Sequence, residues 1–250
     1  MSLTETALLL LAGLAAGTIN AMVGSGSLIT FPTLLAFGYP PLLANVTNNV
    51  GVLPGSFSAV AISRVELAGQ GRRLARLATA ALPGAVAGAW LLLVLPGEVF
   101  DAVVPALILL ACLLIAVQPW ITGRLRRRGR PIGHGGALLW AGVLLTAMYG
   151  GYFGAAQGVI LIAVMGLFVD APLPALNAVK NVLVGLANLA AAVVFVLATD
   201  VAWAAAAAIA VGATIGGQFG PRIGRRLPPV VYRAAIVVVG VAVSLLLLLD

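Results

Sequence analysis

The chain has 250 residues, 62% of them hydrophobic and only 8% charged, with a mean hydropathy of +1.14. Soluble domains carry about 25% charged residues, so these values exclude one. The net charge of +7 sits almost wholly between apolar runs and without interleaved aromatics, which fits orientation in a bilayer and argues against a nucleic-acid surface.

Apolar runs of spanning length recur along the whole chain and predict an all-α polytopic membrane protein. The first half gives helices over Thr6–Val23, Leu28–Phe37, Leu43–Ser63, Ala75–Leu95 and Val99–Ile121. Ser2-x-x-Glu5 reads as a capping box, and the first run lacks a basic leader, so no cleavable signal peptide is expected. The second half gives Ala137–Phe153, Val159–Val169, Ala175–Ala198, Val201–Pro221 and Val230–Leu249. Gly24–Ser27 interrupts the first helix pair and Gly154–Gly158 the second, while Gly38–Pro41 and Asp170–Pro172 end the two short helices.

One stretch is written twice. A shift of 132 residues, without a gap, lays Gly26 on Gly158, Pro40 on Pro172, Asn45 on Asn177 and Asn49 on Asn181. It also lays Gly84 on Gly216, Gly88 on Gly220 and Leu95-Pro96 on Leu227-Pro228. The charges do not follow, since Asp101 meets Arg233 and Glu98 meets the uncharged Val230, next to the cluster that includes Arg226. The same unit with opposite charge at corresponding ends predicts two inverted repeats, each a broken or re-entrant hairpin plus three transmembrane helices. The expected organisation is one integral membrane domain with a first repeat over 1–121, a basic cytoplasmic linker over 122–136 and a second repeat over 137–250.

All thirteen Arg lie in Arg64–Arg76, Arg124–Arg130 and Arg222–Arg233, and the positive-inside rule assigns all three to the cytoplasm. Glu98, Asp101 and Asp200 then fall outside. The segments between Arg130 and Asp200 must make an odd net number of crossings, so Ala137–Val169 starts and finishes on one side, by re-entering or by crossing twice. Val159–Val169 covers only about 16 Å of helix, half of a ~30 Å hydrocarbon core, which favours a hairpin with its tip deep in the membrane. By the repeat, Thr6–Phe37 enters from the other side. The expectation is a multi-pass protein of a bacterial-type inner membrane with both termini outside.

Non-helical backbone at membrane depth is tolerated only under protein or beside a watery cavity. Each break precedes a helix N-terminus, whose free N–H groups and positive dipole end suit anions. Ser25, Gly26, Ser27, Gln157 and Gly158 are therefore candidate substrate-binding residues. Tight packing of small residues is the alternative use of these glycines. The helix after each hairpin opens on a polar cluster. Asn45, Asn48 and Asn49 share one face, as do Asn177, Lys180 and Asn181. Asn48, Asn49, Lys180 and Asn181 join the candidate anion site. Asn20, Asn45, Tyr152, Asn177 and Asn188 are candidate cavity-lining residues.

Lys180, the sole lysine, is costly inside a bilayer unless it meets an anion or gives up its proton during coupling; snorkelling to the inner surface is the structural alternative. Gly84-x-x-x-Gly88 and Gly216-x-x-x-Gly220 are expected to let helices approach closely. Cys112 is expected to be packing, His134 a surface residue, and Arg64 with Glu66 a solvated pair. One His and one Cys in total predict no metal site, and no cofactor is expected. Ser25 as an intramembrane hydrolase nucleophile would need a base such as Lys180 within reach.

The chain resembles the TauE/SafE family, also called the sulfite exporter or TSUP family. The resemblance runs through Gly24-Ser25-Gly26-Ser27-Leu28 to Pro32, Thr47-Asn48-Asn49-Val50 with Leu53-Pro54-Gly55-Ser56, Ile62 to Leu67, and Asn177 to Leu183. It implies secondary transport of sulfur-containing anions such as sulfite, sulfoacetate or other organosulfonates, commonly as export. The break Gly154-Ala155-Ala156-Gln157-Gly158 is less Gly-rich than the family pattern, which points to Gln157 as a selectivity difference. The expected partners are a small anionic substrate and the lipid bilayer, with a proton as candidate coupling ion and a homodimer as candidate assembly. An anion channel of the same fold is the nearer alternative.

Overall fold

A computed structural model describes residues 1–128, 136–224 and 229–249. These form ten helices: α1 Leu3–Met22, α2 Ser27–Ala36, α3 Pro41–Ile62, α4 Gly71–Val94, α5 Gly97–Arg128, α6 Ala137–Tyr152, α7 Gln157–Phe168, α8 Leu173–Ala198, α9 Trp203–Gly224 and α10 Pro229–Leu249. No strand occurs among the described residues. Among the described residues, four helices are long and apolar enough to span a bilayer: α1, α4, the Gly97–Arg124 part of α5, and α8. Arg130, His134, Arg225, Arg226 and Leu227-Pro228 lie outside the described residues.

Local chemistry sets the helix limits. Ser2 and Glu5 form the expected capping box of α1, satisfying backbone donors that have no helical partner. Pro40 and Pro172 precede α3 and α8, each followed by proline at the first or second helical position, where its missing N–H costs nothing. Gly24 and Gly154 sit at φ +86° and +79° and turn the chain after α1 and α6. Ala156 takes φ +59° without being glycine, a conformation costing about 1–2 kcal/mol that only surrounding structure sustains.

Two expectations on boundaries change. Helix α5 runs through Arg124 to Arg128, so the basic stretch begins as helix: arginine is a good helix former and complements the helix C-terminus. The ungapped 132-residue shift fails at the breaks. Met22 and Tyr152 both end the first helix of a pair, and Ser27 and Gln157 both begin the second, so these partners stand 130 apart. The two extra residues lie in α7, which has 12 residues against 10 in α2. Gln157 thus corresponds to Ser27, not Ser25, and Gly26 to Ala156, not Gly158.

Helix packing follows a paired pattern. Helix α1 packs on α9 and α4 on α6; α3 packs on α9 and α8 on α4. Small residues make the first two contacts. A methyl group at Gly13 or Gly17 would strike the backbone at Ile209 or Ala213, and one at Gly212 or Gly216 would strike Leu10 or Leu14. Gly84 and Gly88 face the carbonyls of Leu144 and Met148, and Gly151 returns the contact to Ala85. The expected close-approach role of Gly84, Gly88 and Gly216 is therefore met. Gly13-x-x-x-Gly17 is a further such motif. Cys112 is buried and packs with its sulfur against Gly240.

The buried interior divides into two clusters, one around Leu28, Phe31, Phe100, Phe153 and Ile209, the other around Leu77, Val143, Leu161, Met165 and Leu183. Leu3, Leu138, Leu197 and Trp120 instead stand on the surface, as lipid-facing side chains do in a protein whose solvent is hydrocarbon.

Candidate functional site

Each hairpin closes at its base. On the first, Tyr39 Oη donates to Glu5 Oε1 at 2.8 Å, tying the end of α2 to the start of α1. On the second, Gly136 before α6 and Phe168, Val169 and Asp170 after α7 line one cavity with Arg72, Arg73 and Arg76. Both pairs therefore begin and end together. The base of the second lies beside the arginines of α4.

The two tips meet inside the protein. Gly158 N–H donates to Gly24 O at 3.2 Å, and a methyl group at Gly158 would lie 2.6 Å from Gly24 Cα and 3.0 Å from Lys180 Cδ. Only glycine permits this backbone approach. The tips are in direct contact, with the Lys180 stem laid across Gly158, so no gap separates them. The Gln157 amide folds back onto Gly150 of α6, away from the opposite tip.

The asparagine clusters cap the helices that break. Asn177 Nδ2 and Asn181 Nδ2 donate to Ala21 O at 3.2 Å and 3.5 Å, and Lys180 Nζ donates to Asn20 O at 3.2 Å. The start of α8 thus supplies three donors to the last carbonyls of α1, which have no helical partners. Asn45 Nδ2 donates to Tyr152 O at 2.9 Å, so α3 does the same for α6. Lys180 is 0% exposed. Its ammonium meets the negative end of the α1 dipole, so it does not snorkel.

The other candidates divide. Asn48 is held by the hydroxyl of Thr30, and Asn20 Nδ2 donates to Ser56 Oγ at 3.2 Å. The Tyr152 ring packs edge-on against Phe100, with centroids 5.7 Å apart, so its carbonyl and not its ring serves the polar cluster. Asn188 is buried further along α8, Gly26 is buried, and Ser27 is half-buried. Ser25 Oγ, Asn49 Oδ1, Asn177 Oδ1 and both polar atoms of Gln157 are buried with no partner in the protein. Such orphans cost about 1–3 kcal/mol each unless a ligand or water meets them. Because Ser25 Oγ has no partner and Lys180 Nζ rests on Asn20, no Ser–Lys dyad is assembled.

A cavity of about 560 Å³ adjoins this cluster. Ala21, Met22 and Asn177 line it, as do Ser63, Glu66, Gln118, Thr122 and Arg233. Glu66, expected as a solvated partner of Arg64, therefore stands at a cavity. Thr30, Gln118, Thr122 and Arg233 escaped the sequence reading. Gln118 and Thr122 were detectable as an i, i+4 polar pair at the end of the long apolar stretch of α5.

Apolar spanning helices, broken segments meeting in the interior and a polar cluster beside a cavity define a polytopic membrane transporter. A family model described as "Sulfite exporter TauE/SafE" matches residues 9–247. The chain belongs to that family. It is 29% identical over 239 residues to the "Probable membrane transporter protein YfcA" of Escherichia coli (strain K12), covering 94% of this chain and 86% of the relative. It is 29% identical over 249 residues to the "Probable membrane transporter protein ORF9" of Sinorhizobium sp, covering 98% and 92%. A "Probable membrane transporter protein" of Haemophilus influenzae is 26% identical over 220 residues, covering 87% and 84%. No solved structure matches the chain.

Proposed function

We propose that the protein is a secondary transporter that exports small sulfur-containing anions, such as sulfite, sulfoacetate or another organosulfonate, by alternating access of two inverted halves. The carrying observation is reciprocal capping: α8 holds the end of α1, while α3 holds the end of α6. Each broken helix is thus fastened by the long helix of the other half. Rocking of the halves would loosen both fastenings and free Asn177 and Asn181 to donate to an oxyanion, together with Ser25, Asn49 and Gln157, which take no part in the fastenings. Lys180, Gly158 and the helix N-termini supply positive potential at the same place. The arginines beside the second hairpin support a cytoplasmic base for that hairpin and outside termini in an inner membrane.

The contact between Gly24 and Gly158 favours a carrier over a channel, since an open pore cannot keep the two tips together. A proton gradient is the coupling source to test first. Purified protein is reconstituted in liposomes, and flux of sulfite and sulfoacetate is followed with and without a pH gradient. Saturable flux with counter-transport is expected. Absence of flux for every sulfur oxyanion tried would reject the substrate class, and unsaturable flux would favour the channel.

A further inference from the structure

The start of α4 carries charge that the fold does not match. Arg72, Arg73 and Arg76 line one cavity of about 470 Å³ with Asp170 on its far side. Three guanidinium groups thus share the space with a single carboxylate, and among the described residues Asp170 forms no ion pair with any of them. Arg73 donates to the neutral side chain of Gln70. The guanidinium groups of Arg72 and Arg76 engage no partner among the described residues. These two stand one turn apart, where like charges repel. Helix α4 also has no acid in its first turn and no side-chain cap from Gln70, so its dipole adds to the positive potential.

The same side of α4 continues as an apolar strip. Arg72, Arg76, Thr79, Pro83, Val86 and Trp90 follow at alternating steps of four and three residues, which keeps them on one face, and all six are exposed. Trp140 Nε1–H donates to Thr79 Oγ1 at 3.0 Å. An indole thus marks the change from charge to hydrocarbon, the level at which tryptophans of membrane proteins gather. From Arg76 to Val86 the helix rises about 15 Å, half of a ~30 Å hydrocarbon core. A basic cavity that leads into an apolar strip one leaflet deep matches the two parts of a phospholipid. We propose that the cavity holds the phosphate headgroup of an anionic phospholipid, with Arg72 and Arg76 on the phosphate and the acyl chains along Val86 and Trp90. A free phosphate would answer the charge and leave the strip unused. Gly136, Phe168 and Val169 line the cavity opposite α4, so the bound lipid also ties the base of the second hairpin to that helix. The site is independent of which ion the protein carries.

The test is native mass spectrometry of the full chain, titrated with dioleoyl phosphatidylglycerol or dioleoyl phosphatidylcholine. The anionic lipid is expected to bind about tenfold or more tightly than the zwitterionic one. Each arginine near a membrane surface contributes about fivefold to affinity for an anionic lipid, so Arg72→Gln with Arg76→Gln should weaken phosphatidylglycerol binding about thirtyfold. Arg64→Gln with Arg124→Gln removes the same charge outside the cavity and should leave the affinity within about twofold. Asp170→Asn should tighten binding, which keeps the test decisive if the Arg72 and Arg76 double variant does not fold. Glycerol 1-phosphate, which has the phosphate and no acyl chains, should fail to displace the lipid at equal concentration. Equal affinity for the two lipids, equal loss in the two double variants, or no tightening in Asp170→Asn would overturn the site. Displacement by equimolar glycerol 1-phosphate would make the occupant a free anion and overturn the lipid assignment.

Discussion

Gly158 N–H and Gly24 O join the two helix breaks by a hydrogen bond of 3.2 Å, with backbone so close that neither residue has room for a side chain. Gly24 is further constrained by its φ of +86°. Gly158→Ala would force a methyl group to 2.6 Å from Gly24 Cα, so the tips must separate. The expected loss is about 1–3 kcal/mol from overpacking, seen as a lower unfolding temperature in detergent, with transport impaired as well. Gly123→Ala is a useful control, because Gly123 is helical like Gly158 but has open space around it. If Gly158→Ala melts no earlier than the native protein, the tips do not meet as described.

Lys180 combines two jobs that a substitution can separate. Its ammonium donates to Asn20 O, and its stem covers Gly158. Lys180→Met keeps the stem and removes the charge. Replacing a buried charge by a packed apolar group of similar volume is often nearly neutral for stability, although Asn20 O then loses a donor. The folded protein is expected to survive with a change of about 1 kcal/mol, while anion affinity by calorimetry falls beyond detection. Unchanged affinity in Lys180→Met would remove Lys180 from the substrate site and leave it as a cap alone.

The sequence carried the helices, the breaks and the polar clusters, because each has local chemistry: Gly and Pro at the turns, asparagines at i, i+3 and i+4, and arginines massed between apolar runs. It did not carry the partners of those asparagines. Asn45 and Tyr152, or Asn177 and Ala21, lie in different halves of the chain, and no local pattern announces a side chain that caps a distant helix. The two-residue slip at the breaks had a related cause. Gly26 and Gly158 match at 132, but the helix ends and the positive-φ pair Gly24 and Gly154 match at 130, and the sequence offered both spacings. The cavity was hidden because the α5 pair Gln118 and Thr122, Glu66 after α3 and Arg233 on α10 are far apart in the chain.

The glycine seams give a prediction independent of substrate. On α4, Gly88 faces the carbonyl of Met148, and Gly151 on α6 faces that of Ala85. A bulky residue at either position wedges α4 from α6. Gly88→Leu should destabilise by about 3 kcal/mol or more, since both backbones must move. Gly97→Leu, where open space surrounds the residue, should be tolerated. Comparable unfolding temperatures for the two variants would contradict this packing.

Tyr39 and Glu5 close the base of the first hairpin, and this contact is pH-dependent. The Tyr39 hydroxyl is raised above its ordinary value of 10.0, first by burial and then by its hydrogen bond and charge interaction with Glu5. A phenol that is harder to ionise when folded stabilises the protein fully below the unfolded value and loses that contribution as pH rises through the folded one. Native protein should therefore lose stability above pH 10.0 more steeply than Tyr39→Phe, which has no phenol to ionise. Tyr39→Phe should also melt slightly earlier at pH 8, because Glu5 Oε1 loses its donor; the difference should shrink as pH rises. Parallel unfolding temperatures for the two proteins from pH 8 to 11 would show that the base of the hairpin does not depend on this bond.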